Sequence, residues 1–82
     1  MRNKDLKPIL HYFSFTLKDF SQHTGIDYTA LSRLGNSPTQ LLKYDYERAL
    51  FEFIKFYKNL NYDAIKTIIS NFFKEMENEM EN

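Results

Sequence analysis

Apolar residues recur three and four positions apart almost from end to end of the chain, the spacing that places side chains on one face of a helix. Leu6, Ile9, Leu10 and Phe13 form the first such stripe. Pro8 falls in its first turn, where the missing N–H has no partner to lose. Thr16 followed by Asp19 has the form of a capping box, with Asp in place of the usual Glu. It predicts a second helix from Leu17 to about His23 that buries Leu17 and Phe20. Gly25 stands where a helix ends in a left-handed residue, a conformation glycine enters without steric cost. Asp27 then reads as the N-cap of a third helix, Tyr28 to about Leu34, with Leu31 and Leu34 inward.

Gly35-Asn36-Ser37-Pro38 is the strongest loop signal in the chain. Two readings follow it. Ser37-Pro38-Thr39-Gln40 can open a helix running unbroken to Lys58. Alternatively Asp45 caps a helix of about Tyr46 to Lys58, and this later start is preferred. Its stripe is Ala49, Leu50, Phe53, Ile54, Tyr57 and Leu60. Asn61 breaks it, and Asp63 can cap a last helix carrying Ile65, Ile68, Ile69, Phe72, Phe73, Met76 and Met80. No period-two alternation and no Asn-Gly or Asp-Gly turn argues for strands. The expectation is an all-α, five-helix bundle with a long C-terminal helix.

The apolar positions outnumber what one small core needs. Leu6, Ile9, Leu10, Phe13, Phe20, Ile26, Leu31, Leu34, Leu50, Phe53 and Ile54 already make a core for 82 residues. Residues two apart on a helix point about 200° away from each other, so Phe51, Phe53 and Phe56 cannot share a face. At least one is surplus. From Phe72 onward the last helix lies more than about 10 Å beyond its first turns, and a strip of Ile69, Phe72, Phe73 and Met76 predicts a homodimer seam.

Composition narrows the picture further. With 82 residues, one domain is the natural count, residues 1–36 carrying the short helices and 37–82 the supporting and dimerising ones. At 43% hydrophobic and 27% charged residues, the chain is too apolar for simple disorder. There is no cysteine, which excludes disulfides, thiolate zinc sites and a cysteine nucleophile together. No apolar run reaches the roughly 18 residues of a membrane span and no signal-peptide pattern opens the chain, so a cytoplasmic location without membrane contact is expected. His11 and His23 lack neighbouring acids, and Asp45, Glu47 and Glu52 face no activated nucleophile or glycine-rich phosphate cradle. Metal, cofactor and enzymatic activity are therefore not expected. The net charge is zero but unevenly spread: residues 1–43 carry +3 and residues 44–82 carry −3. The acidic end, from Glu75 to Asn82, reads as a solvated terminus, with an extension of the seam and mimicry of DNA as other roles.

A helix, a glycine turn and a helix within about 19 residues is the helix-turn-helix pattern. Phe20, Ile26, Leu31 and Leu34 would lock the two helices, leaving Tyr28, Thr29, Ser32 and Arg33 pointing away from the core. Thr24-Gly25-Ile26 followed by Leu31-Ser32-Arg33-Leu34 resembles the phage-repressor, or XRE, family over residues 6–36. The resemblance implies that Tyr28, Thr29 and Arg33 read bases and that Asn36 meets a phosphate. Leu17 stands where that family commonly has a phosphate-binding Gln, Ser21 replaces its usual Ala, and Gly35 replaces a Glu. A weaker similarity links Tyr46–Ile69 to the helices that follow the wing of MerR-type regulators, without the wing itself.

The side chains suit double-stranded DNA. Arg33 can donate two hydrogen bonds to guanine, and Thr29 can meet a thymine methyl. Lys18, Asn36 and Lys43, with amide N–H groups at the helix starts near Thr16 and Asp27, can position phosphates. The resemblance implies a sequence-specific, dimeric transcriptional regulator, a repressor from a phage, plasmid or other mobile element. The rival expectation is a protein-interaction module on the same fold, an antirepressor or an anti-CRISPR-type inhibitor, which the neutral charge and acidic second half favour.

Overall fold

The computed structural model describes the backbone of residues 1–81 and the side chains of residues 1–77, so Met80 of the expected seam lies outside the described side chains. Among the described residues the chain is all-α, with five helices and no strand. A 3-10 turn at Asn3–Asp5 leads into α1 (Leu6–Tyr12), whose Leu6, Ile9 and Leu10 are buried. α1 ends through two reverse hydrogen bonds, Phe15 N–H to Leu10 O at 2.8 Å and Ser14 N–H to His11 O at 2.9 Å. This is the Schellman arrangement, which needs a left-handed residue. Ser14 supplies it, at φ 69°.

α2 (Leu17–Thr24) opens on the expected capping box. The Thr16 hydroxyl accepts from the Asp19 N–H, and the Asp19 carboxylate accepts from the Thr16 N–H at 2.9 Å. Gly25 closes it in the left-handed region at φ 78°. The Asp27 carboxylate accepts from the Thr29 N–H at 3.3 Å and starts α3 (Tyr28–Arg33), which tightens into a 3-10 turn at Leu34–Asn36.

Residues 37–42 are held by the start of the chain. The Asn3 N–H donates to Gln40 O, the Lys4 N–H to Pro38 O and the Leu42 N–H to Met1 O. The buried Asn3 side chain adds a bond to Ser37 O at 2.9 Å. With its carbonyls committed to the N-terminal segment, this stretch is not the start of a helix. α4 spans Tyr44–Lys58, two residues earlier than the preferred reading. Asp45 lies inside its first turn and does not cap it. There its charge, with that of Glu47, suits the positive end of the helix. α4 ends on Asn59, left-handed at φ 54°, rather than on Asn61. Asn61 instead caps α5 (Tyr62–Glu81), its side-chain oxygen accepting from the Ala64 N–H at 2.8 Å, in the role expected of Asp63.

α2 packs on α1, α3 and α4, and α5 packs on α4. Phe20, Phe53, Leu6, Ile9, Leu10, Leu50, Ile54 and Ile65 are fully buried at their junction. Ile26 and Leu34, expected inside, are only partly buried at its edge, and Leu42 is a core residue that the loop pattern concealed. The aromatic surplus on α4 is Phe56, 69% exposed, since Phe53 is buried and Phe51 leans on Tyr62 with ring centroids 4.9 Å apart.

The expected seam requires correction. Ile69 is 6% exposed and belongs to the chain's own core. Phe72 is partly buried, its ring 5.3 Å from Tyr12 of α1 and 5.8 Å from Phe73. α1 thus covers a stretch of α5 that the sequence left without a neighbour. Met76, 39% exposed, is the open member of the strip.

Candidate nucleic-acid interface

Six residues make α3, and the corner before it decides which of them face outward. The left-handed Gly25 turns the chain back, and two local bonds brace the turn. The Ser21 hydroxyl donates to Ile26 O at 2.6 Å, and the Ile26 N–H donates to the Thr24 hydroxyl oxygen at 3.2 Å. Leu31 is thereby driven into the core, while Thr29, Ser32 and Arg33 are exposed and Tyr28 is half exposed.

Three depressions surround this face and bring some of the expected residues together. Tyr28 and Ser32 share a groove of about 290 Å³ with Lys4, Lys7 and Leu17. On the other side of Tyr28 lie Lys18, Ser21 and Gln22 of α2. Arg33 shares a third depression with Lys43, Gln40 and Leu41. Thr29 and Asn36 are exposed but line none of the three.

The expected phosphate contact at Thr16 is altered by its own cap. Its N–H is engaged by the Asp19 carboxylate, and its hydroxyl oxygen accepts from the Asp19 N–H. The Thr16 N–H, and then the Thr16 hydroxyl, hold the Asp19 carboxyl below its ordinary value, so the group stays anionic. A phosphate approaching Thr16 meets a fixed negative charge. The start of α3 is alike, since the Asp27 carboxylate engages the Thr29 N–H. Lys18, exposed in the first turn of α2, carries the opposite charge.

Lys4 and Lys7 escaped the sequence-based site. Their only signal was the basic surplus of residues 1–43 and a three-residue spacing, which on a helical turn places both on one side. Pairing of residues 1–4 with residues 37–42 carries them to α3. His23, in the last turn of α2, has its ring against Phe53, Phe56 and Tyr57, with the Tyr57 hydroxyl 3.3 Å from its Nδ1. No three His, Cys, Asp or Glu side chains among the described residues are grouped as metal ligands would be. No helix among them is long and apolar enough to cross a membrane. Compared with known proteins, the chain matches no family model, no curated protein and no solved structure.

Proposed function

We propose that the chain is a sequence-specific DNA-binding regulator whose α3 enters the major groove. One observation carries this reading: an exposed Tyr28-Thr29-Ser32-Arg33 face on a helix fixed by a glycine turn, ringed by Lys4, Lys7, Lys18 and Lys43. Arg33 is the base reader, because a guanidinium can bond both acceptors of a guanine edge. The four lysines fix the helix on the backbone. If each neutralises one phosphate, the logarithm of the binding constant falls with the logarithm of salt at a slope of about −3.6 per protomer.

A gel shift on the DNA flanking the protein's own coding region, repeated across salt concentrations, tests the proposal. Arg33→Ala is expected to lose about 1–3 kcal/mol of affinity and to relax preference at one base pair. Equal weakening on every sequence would reassign Arg33 to a phosphate. The absence of any salt-dependent shift would overturn the reading.

A chain with so few cations needs a second half-site for tight binding, and the homodimer remains part of the proposal in altered form. Its seam is Phe73 and Met76 with the half-exposed Tyr12, and Ile69 is removed from it. Phe73→Glu is expected to give a folded monomer. Sedimentation of the unaltered chain as a monomer at tens of micromolar would remove the dimer.

The second reading, a protein-interaction module, is favoured by a different observation. Tyr44, Phe56, Tyr57 and Tyr62 are all more than half exposed along α4 and the start of α5. Large exposed aromatics of this kind mark contact surfaces between proteins.

A further inference from the structure

Leu41 is 62% exposed, yet the backbone on both sides of it is fixed. It pairs with Arg2 across an antiparallel bridge. The Asn3 N–H donates to Gln40 O at 2.9 Å and the Leu42 N–H to Met1 O at 3.0 Å. The Arg2 guanidinium adds a bond to Thr39 O at 3.1 Å. Neighbouring side chains of extended backbone point to opposite sides, so the burial of Leu42 turns Leu41 outward. An exposed leucine is ordinary by itself. This one is held in place beside residues that the DNA reading already uses.

Leu41, Gln40 and Lys43 line a hollow of about 160 Å³ together with Ala30 and Arg33 of α3. Arg33 and Lys43 are both exposed there. Leu41 therefore lies next to whatever Arg33 meets. A hollow that small spans no more than one or two base steps, at about 3.4 Å each. The leucine side chain has no donor or acceptor to offer a base edge. The apolar group that a base pair presents in the major groove is the C5-methyl of thymine.

We propose that Leu41 is a specificity-determining residue, packing on the methyl of a thymine next to the base pair that Arg33 reads. The inference rests on the DNA reading of α3 and deepens it. Arg33 supplies the hydrogen bonds to the base edges and Leu41 the apolar contact, while Lys43 ties the same segment to a phosphate. Part of the sequence preference thus comes from outside the recognition helix. The bonds from residues 1–3 aim it, since they set residues 39–42 beside α3.

The test is a pool of random-sequence duplexes selected on the full chain, after which a selected duplex is remade with deoxyuridine at one thymine at a time. Deoxyuridine pairs as thymidine does and lacks only the methyl. At one thymine, neighbouring the base pair whose preference Arg33→Ala relaxes, the exchange is expected to weaken binding about fourfold, the value of one buried methyl group. Leu41→Ala should weaken binding to the thymine duplex by a similar factor and no longer distinguish thymine from deoxyuridine there. The deoxyuridine series uses the unaltered chain, so it decides the question even if the variant fails to fold. Selected sequences without a thymine at that place, indifference to its methyl, or a folded Leu41→Ala chain that still discriminates would each overturn the proposal and leave the DNA reading standing. Enrichment of no sequence at all would overturn both.

Discussion

Three of the helices end in the left-handed backbone conformation; α4 does so on an asparagine, which tolerates it, and the contrast lies between α2, which ends on a glycine, and α1, which ends on a serine. Gly25 sits at φ 78° and Ser14 at φ 69°. A Cβ added at Gly25 would meet no atom within 4 Å, so glycine is required there by its dihedral angle and not by space. That corner aims α3 outward. The serine corner is held against its preference by the Schellman bonds and by Phe15, whose ring lies 4.6 Å from that of Phe53. It sets the Phe15 ring beside those of Phe53 and Tyr57 on α4. Of these two corners, the first holds that backbone state without steric cost and the second holds it under strain.

The largest effect is expected at the glycine. Gly25→Val forces a β-branched residue to positive φ and should destabilise the fold by about 2 kcal/mol, a loss that a thermal melt of a domain this size reads as roughly 10 °C. Gly25→Asn, which tolerates the left-handed region better, should recover most of it. A melt unchanged by valine would mean that the corner relaxes freely and that α3 is not held by it.

The serine corner predicts the opposite sign. Ser14→Gly relieves a left-handed penalty of about 1 kcal/mol or more, offset in part by the greater freedom of glycine in the unfolded chain. The expected net result is a gain of about 0.5 kcal/mol, measured by urea denaturation. A loss would show that the serine hydroxyl contributes more than its backbone strain removes.

The contrast between the two corners also explains which parts of the molecule were legible in the sequence. Thr16 with Asp19, Gly25, and Asp27 before α3 all act within three residues of themselves, so their side chains announce the structure they make. Ser14 carries no such mark, because nothing local distinguishes a strained serine from an ordinary one. The start of α4 was ambiguous for a related reason. Lys43 precedes it without a side-chain cap, and most of the bonds that keep residues 37–42 out of a helix come from the backbone of residues 1–4, with one each from the Arg2 and Asn3 side chains. Backbone partners leave no residue signature. Asn61 and Asp63 are both good capping residues, and only geometry separates them. Ile69 was legible as an inward position, but an apolar stripe does not say whether its cover is the same chain or another. The exposed face of α3 followed from the local corner, whereas Lys4 and Lys7 reached that face through the pairing of distant segments.

The smallest effect separates the two ends of α2 by chemistry. Its start depends on a titratable group, Asp19, and its end on Gly25, which has none. Because the Thr16 N–H and hydroxyl lower the Asp19 pKa in the folded chain, the unfolded chain binds the proton more readily. The stabilising contribution is therefore fully present above the ordinary aspartate value of about 3.9. It is lost as pH falls through the lower, folded value. Asp19→Asn retains an acceptor for the Thr16 N–H but no charge, so its melting temperature should lie below that of the unaltered chain at pH 6. The gap should narrow steadily as acid protonates Asp19. Gly25→Ala provides the control, since its deficit arises from a dihedral angle and should hold between pH 6 and acid. A gap for Asp19→Asn that stays constant over the same range would mean that the carboxylate acts at the helix start only through its shape, and the two ends of α2 would then be alike in being insensitive to charge.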